Sequence, residues 1–320
     1  MARFPRFAAL LTVSTAIACA SGPTTRSPAS ADEVMRGHLL IVGGGPIPDS
    51  IVRRFVELAG GAARARVIIF PMASEDPESG VEMAERLHRL GASVERLSLG
   101  REEASSDRAA QRLEGATGIW FGGGDQSRLT AALLHTPVET AIRRLYREGA
   151  VVGGTSAGAA VMSTPMLTGE ERRPGGDRPS PKDSSDAYMT IARENVETAE
   201  GFGLLPGAIV DQHFVRRRRH NRLLSLVLEN PSLVGVGIDE STALEVGPDG
   251  IWRVLGANAA VVFDARQARI TPERAPLGAA GVRLHVLPSG STFDAKTGRA
   301  TLPGSGLSDP KSLSSPEKPG

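Results

Sequence analysis

Ser156 is the side chain around which a reaction could be built. It lies in Gly154-Thr155-Ser156-Ala157-Gly158, after the small apolar run Ala150 to Val152 and before Ala159, Ala160, Val161 and Met162. A Gly-x-Ser-x-Gly between a strand and a helix is the nucleophile-elbow pattern. The turn is tight enough that neighbours with a Cβ would clash, which accounts for the glycines. The hydroxyl would then stand at the carboxyl edge of a sheet, beside a helix N-terminus that favours negative charge. The plainer reading of the same residues is an ordinary Gly-rich turn.

A serine needs a base to be nucleophilic at neutral pH. The chain has six histidines. His38 precedes a strand, His88 and His135 belong to helices, His285 sits in a β segment, and His220 stands among arginines. Only His213 directly follows a short apolar strand, Ala208 to Val210, which predicts a place at the same sheet edge as Ser156. It is either the base or a hydrogen-bonded structural histidine. Acyl transfer also needs donors for a developing oxyanion. Gly122-Gly123-Gly124-Asp125 leaves another strand, and its glycines would let a backbone N–H approach a carbonyl closely. Gly124 and Asp125, with the Ala157 N–H, are the candidate donors. This loop lacks the GxGxxG spacing and the Walker lysine of phosphate sites. Arg216 to Arg219, with Arg222, follow His213 closely. Guanidinium forks bind carboxylates bidentately, so an acidic substrate is the natural inference.

These residues need a scaffold. Gly37 to Gly45, Ala65 to Phe70, Ser93 to Leu99 and Thr117 to Phe121 read as strands, and Ala150 to Val152 as the strand before the elbow. Helical spacing separates them: Ile51, Val52, Phe55 and Val56 form one apolar face, and Val81 to Leu90, Ser106 to Leu113, Ser127 to Leu134 and Val138 to Glu148 follow. Alternation of this kind indicates an α/β domain with a mainly parallel sheet. Sites then lie at the carboxyl ends of strands. After a polar, Pro/Gly-rich excursion from Gly169 to Asp186, the spacing predicts a helix over Arg217 to Leu228. A strand from Val234 to Ile238 ends in Asp239-Glu240, and short antiparallel β segments continue to Val286.

Composition limits the function classes. Net charge is +1 over 320 residues, so bulk electrostatics do not favour nucleic acid. No HExxH or paired-histidine spacing suggests a metal, and no cofactor is expected. The N-terminal stretch has Arg3 and Arg6, an apolar run from Phe7 to Ala18 and then Cys19, the sole cysteine. This is the pattern of a secretory signal. Ala16-Ile17-Ala18-Cys19 looks like a bacterial lipobox, although Ala16 stands where leucine is usual. The expected organisation is a signal over residues 1–19, a flexible tether over 20–36, a hydrolytic domain over 37–301 and a disordered tail over 302–320. The protein would be exported, as a periplasmic or cell-envelope lipoprotein anchored through Cys19. The folded part then has no thiol, which excludes a cysteine nucleophile.

Four motifs, GGTSAGAAVM, FGGGDQSRL, GFGLLPGAIVDQHFVRRRRHNRLL and GIDESTAL, occur in an order that resembles the cyanophycinases, in the serine peptidase family that includes aspartyl dipeptidase. The resemblance spans roughly Gly37 to Phe263. It implies a three-layer α/β/α fold similar to class I glutamine amidotransferases, with a Ser-His-Glu triad. Ser156 matches the nucleophile and His213 the base. The acidic member is implied in the segment after the elbow helix, where Glu171 fits best and Glu170 is adjacent. Gln126, Asp211 and Gln212 match residues that line the site, and Arg217, Arg219 and Arg222 match the arginine spacing after DQHF. The implied substrate is a polypeptide with an aspartate backbone and arginine on each β-carboxyl, cut to β-Asp-Arg dipeptides. An aspartyl or isoaspartyl dipeptidase and a silent lipid-anchored binding protein are the competing readings. A homodimer is left open.

Overall fold

A computed structural model describes residues 36–171 and 190–304. The first half alternates strands and helices: β1 (His38–Val42), α1 (Asp49–Leu58), β2 (Arg66–Phe70), α2 (Val81–Arg89) and β3 (Ser93–Arg96). Then come α3 (Arg101–Ala104), α4 (Asp107–Gln111), β4 (Gly118–Phe121), α5 (Gln126–Leu133), α6 (Pro137–Glu148), β5 (Val151–Thr155) and α7 (Ala157–Ala160). The second half is mostly β: β6 (Met166–Glu171), β7 (Val196–Ala199), β8 (Ala208–Gln212), α8 (His220–Glu229), β9 (Val234–Ile238), β10 (Thr242–Val246) and β11 (Ile251–Gly256). It closes with β12 (Ala259–Asp264), β13 (Arg269–Ile270), β14 (Ala279–Ala280), β15 (Arg283–Pro288), β16 (Thr292–Asp294) and β17 (Arg299–Thr301).

The main sheet has nine strands in the order β17-β16-β11-β10-β1-β5-β4-β2-β3. Strands β1, β5, β4, β2 and β3 are parallel, and β10 starts an antiparallel flank beside β1. The parallel strands are short apolar runs because both of their faces are covered. On one face Leu40, Val67, Ile69 and Trp120 meet Ile51 and Phe55 of α1 and Leu87 of α2. On the other, Leu39, Ile68, Phe121 and Val152 meet Leu129 of α5, Ile142 of α6 and the small residues of α7. The result is a three-layer α/β/α arrangement. Helix α6 shows how local sequence sets the boundaries. Thr136 caps its N-terminus by accepting from the Glu139 N–H, Pro137 opens it, and Gly149 ends it at φ 124°.

The second sheet, in the order β15-β12-β9-β8, was not foreseen. Its inner face (Val210, Val236, Ile238, Val262) joins the main core, and Ile209, Val261 and Phe263 pack outward on Leu223 and Val227 of α8. Strand β8, expected in the main sheet, therefore belongs to this one and runs parallel to β9. The helix expected from Arg217 begins at His220 instead, because residues 214–219 form a turn with Arg218 at φ 53°. Of the excursion expected from Gly169 to Asp186, the first residues close β6, and residues 172–189 lie outside the described residues, as do 1–35 and 305–320.

Candidate active site

Ser156 leaves β5 at the carboxyl edge of the parallel strands. Its φ of 54° and ψ of −110° are those of a strained turn, and its N–H donates to the Val42 carbonyl of β1 at 3.1 Å. The flanking glycines are required by contact. A Cβ on Gly154 would overlap the Gly158 backbone, and one on Gly158 would overlap the Phe121 carbonyl at the end of β4. The Gly158 N–H donates to the Gly122 carbonyl at 3.1 Å, which ties the elbow to the neighbouring glycine loop.

His213 arrives from the second sheet, immediately after β8. Its N–H donates to the Gly43 carbonyl at 2.6 Å, and its ring occupies space that a Cβ on Gly44 (φ 105°) would fill. The imidazole Nε2 lies 3.0 Å from Ser156 Oγ, and Nδ1 lies 2.6 Å from Glu240 Oε1. Glu240 sits where the chain crosses from β9 in the second sheet to β10 in the main sheet. Its next neighbour, Ser241, is tied by its hydroxyl to the Pro46 carbonyl at 2.8 Å. A carboxylate accepts only, so Nδ1 carries the proton and Nε2 presents a lone pair to the serine hydroxyl. Burial pushes the His213 pKa below its ordinary 6.5. The Glu240 hydrogen bond opposes that shift, and the positive charges of Arg217 and Arg219 add to it. The ring is therefore neutral near pH 7, as a proton acceptor must be.

The acid on His213 is thus Glu240, and this corrects the expectation of Glu171 or Glu170. Nδ1 has one proton to donate, and Glu240 receives it. Glu171 ends β6 opposite Val196, and the side chains of Glu170 and Glu171 lie outside the described residues. The sequence hint of Glu240 is weak: it stands two residues past the buried strand VGVGI, with Asp239 between, whereas His213 follows β8 directly.

A model of peptidase family S51 matches residues 39–253. The chain belongs to peptidase family S51. It is 37% identical over 252 residues to the cyanophycinase of Trichormus variabilis, covering 76% of this chain and 79% of that one. It is 35% identical over 256 residues to the cyanophycinase of Synechococcus elongatus, covering 77% and 74%. The crystal structure of a peptidase from an acI-B1 Actinobacterium shares the fold, with TM-score 0.57 at 23% identity, covering 82% of this chain and 98% of that one. The protein is accordingly a serine peptidase.

The other expected residues of this S51 peptidase divide by contact. Ala157 opens α7, where a helix leaves its N–H without an intrahelical acceptor. The backbone of Gly123 passes beside the serine, and a Cβ there would stand 3.5 Å from Ser156 Cβ. Asp125 is withdrawn as a donor: its N–H is given to the Ala73 carbonyl at 2.9 Å, and its carboxylate caps α5 at the Ser127 N–H. Gly124, at φ 139°, packs on that same Ala73 carbonyl. Gln126 is buried and donates to the Leu167 and Thr168 carbonyls, both at 2.7 Å, so it anchors β6 to α5. Arg222 is also buried. It grips the fully buried Asp211 through Nε at 2.7 Å and through a second bond from Nη2. Those two residues therefore face each other, and neither is exposed to a substrate. Arg219 donates to the Gln212 carbonyl at 2.7 Å. Gln212 is buried beside His213, and its side-chain oxygen has no hydrogen-bond partner among the described residues. Arg217 is exposed, with its charge close enough to act on His213. Arg216 and Arg218 are exposed as well.

Proposed function

We propose that this S51 peptidase hydrolyses cyanophycin to β-Asp-Arg dipeptides through an acyl-enzyme on Ser156. One observation carries the reading: Ser156, His213 and Glu240 form an unbroken hydrogen-bonded line, at 3.0 and 2.6 Å, in a chain whose relatives are named cyanophycinases. His213 Nε2 takes the hydroxyl proton as Ser156 Oγ attacks the scissile carbonyl. Glu240 holds the ring and stabilises the imidazolium. The Ala157 N–H and an N–H of the Gly123-Gly124 pair stabilise the oxyanion. His213 then gives its proton to the leaving amine. Water, deprotonated by the same imidazole, cleaves the ester and restores the serine.

The polymer has a free α-carboxylate on every arginine branch. Arg217, exposed and near His213, is the side chain best placed to meet one. Export is part of the proposal, since the stretch ending at Cys19 has the pattern of a lipoprotein signal and a polymer released by other cells would be met outside the cell. The test is to incubate the purified protein with insoluble polymer and weigh the soluble products. The expected product is the β-Asp-Arg dipeptide. Hydrolysis of short aspartyl or isoaspartyl peptides with the polymer left intact would overturn the substrate assignment in favour of a dipeptidase.

A further inference from the structure

We infer that Asp239 is a positioning residue for the catalytic histidine, acting as a helix cap supplied from another strand. The inference rests on the proposed role of His213 as base. The Arg217 N–H donates to the His213 carbonyl at 2.9 Å, an i to i−4 bond that makes His213 the cap position of a helical turn. At such a position the side chain ordinarily accepts from the N–H of the second or third residue that follows. His213 cannot do so, because both ring nitrogens are engaged with Ser156 and Glu240. The third N–H, that of Arg216, is taken by Asp239 Oδ1 at 2.9 Å.

Asp239 is 8% exposed, follows β9 directly, and is held by its own N–H on the Ala259 carbonyl of β12 at 3.2 Å. Two consecutive residues of one crossing therefore hold the same histidine from two sides. Glu240 takes the ring, and Asp239 fixes the turn that carries the backbone. The need for this hold is visible in the backbone itself: His213 sits at φ 48°, a left-handed conformation that is strained for a non-glycine residue and persists only where its surroundings over-determine it. The Phe214 N–H to the Ile238 carbonyl, at 3.3 Å, is a long bond and a weak substitute.

What matters on this account is an acceptor oxygen and not a charge. Asn caps as well as Asp, whereas Ala does not. The experiment measures the rate at which a fluorophosphonate labels Ser156 in the full chain, which needs no assumption about substrate. Asp239→Ala should label about ten-fold more slowly, the scale of a lost cap converted to a rate. Asp239→Asn should stay within about three-fold of wild type. With cyanophycin as the substrate, the Ala variant should lose kcat with KM little changed. An Ala variant that folds and labels at the wild-type rate would overturn the inference. So would an Asn variant as slow as the Ala variant, since charge and not the acceptor would then be at work. If the Ala variant fails to fold, the Asn variant is compared with wild type, and labelling more than about three-fold slower would overturn the inference. Wild-type protein that does not label at all would instead sink the reading of Ser156 as nucleophile.

Discussion

His213 is tuned by opposing neighbours. Burial and two guanidinium groups lower its pKa, and the Glu240 hydrogen bond raises it. In the proposed role of base His213 needs a neutral ring, so kcat/KM should rise with pH through the His213 pKa, with that limb below pH 6.5. Removing a repulsive charge makes protonation easier. Arg217→Ala should therefore move the acid limb to higher pH, whatever it does to substrate affinity. A pH profile of kcat/KM for the two proteins checks this. A limb that stays in place or moves to lower pH would mean that Arg217 does not act on the ring. Ser156 and His213 could both be singled out in the sequence for one physical reason: each directly follows a buried strand, and strand ends are where such folds present side chains. Asp125 and Arg222 could not be judged that way. A capping carboxylate and a buried ion-pair partner look, as letters, the same as substrate-binding groups.

At the scale of elements, the Asp211–Arg222 pair joins β8 to α8. Both side chains are buried, at 0% and 2% exposure. Breaking such a pair leaves an uncompensated charge in the interior and typically costs about 3–5 kcal/mol. Asp211→Ala should destabilise by that order, seen in calorimetry as a melting temperature lower by roughly 6–20 °C. A loss under about 1 kcal/mol would mean that solvent reaches Arg222 and that it is available to a substrate after all. The helices and parallel strands were legible because apolar spacing and caps are local. Assignment of β8 to a second sheet was not, because AIVDQ is buried on both faces in either sheet and its pattern carries no partner. The early start expected for α8 fails for a similar reason. The arginine run has good helix propensity, and it is the left-handed turn after His213, imposed by tertiary contacts, that delays the helix.

At the scale of the molecule, the site exists because two sheets meet. Ser156 comes from the end of β5 in the main sheet, His213 from the end of β8 in the second, and Glu240 from the crossing between them. That is why the acid was the least legible part of the proposed triad. A crossing between sheets has no sequence signature, whereas an acidic pair shortly after the elbow helix lies close in the chain. The proposed role of Glu240 is tested most directly by kcat/KM for Glu240→Gln and Glu171→Gln side by side. Loss of the acid that orients a catalytic histidine typically lowers kcat by about 10⁴-fold. The expected result is a loss of that order for Glu240→Gln and activity within about three-fold of wild type for Glu171→Gln. A large loss at Glu171 with Glu240→Gln near wild type would contradict the triad.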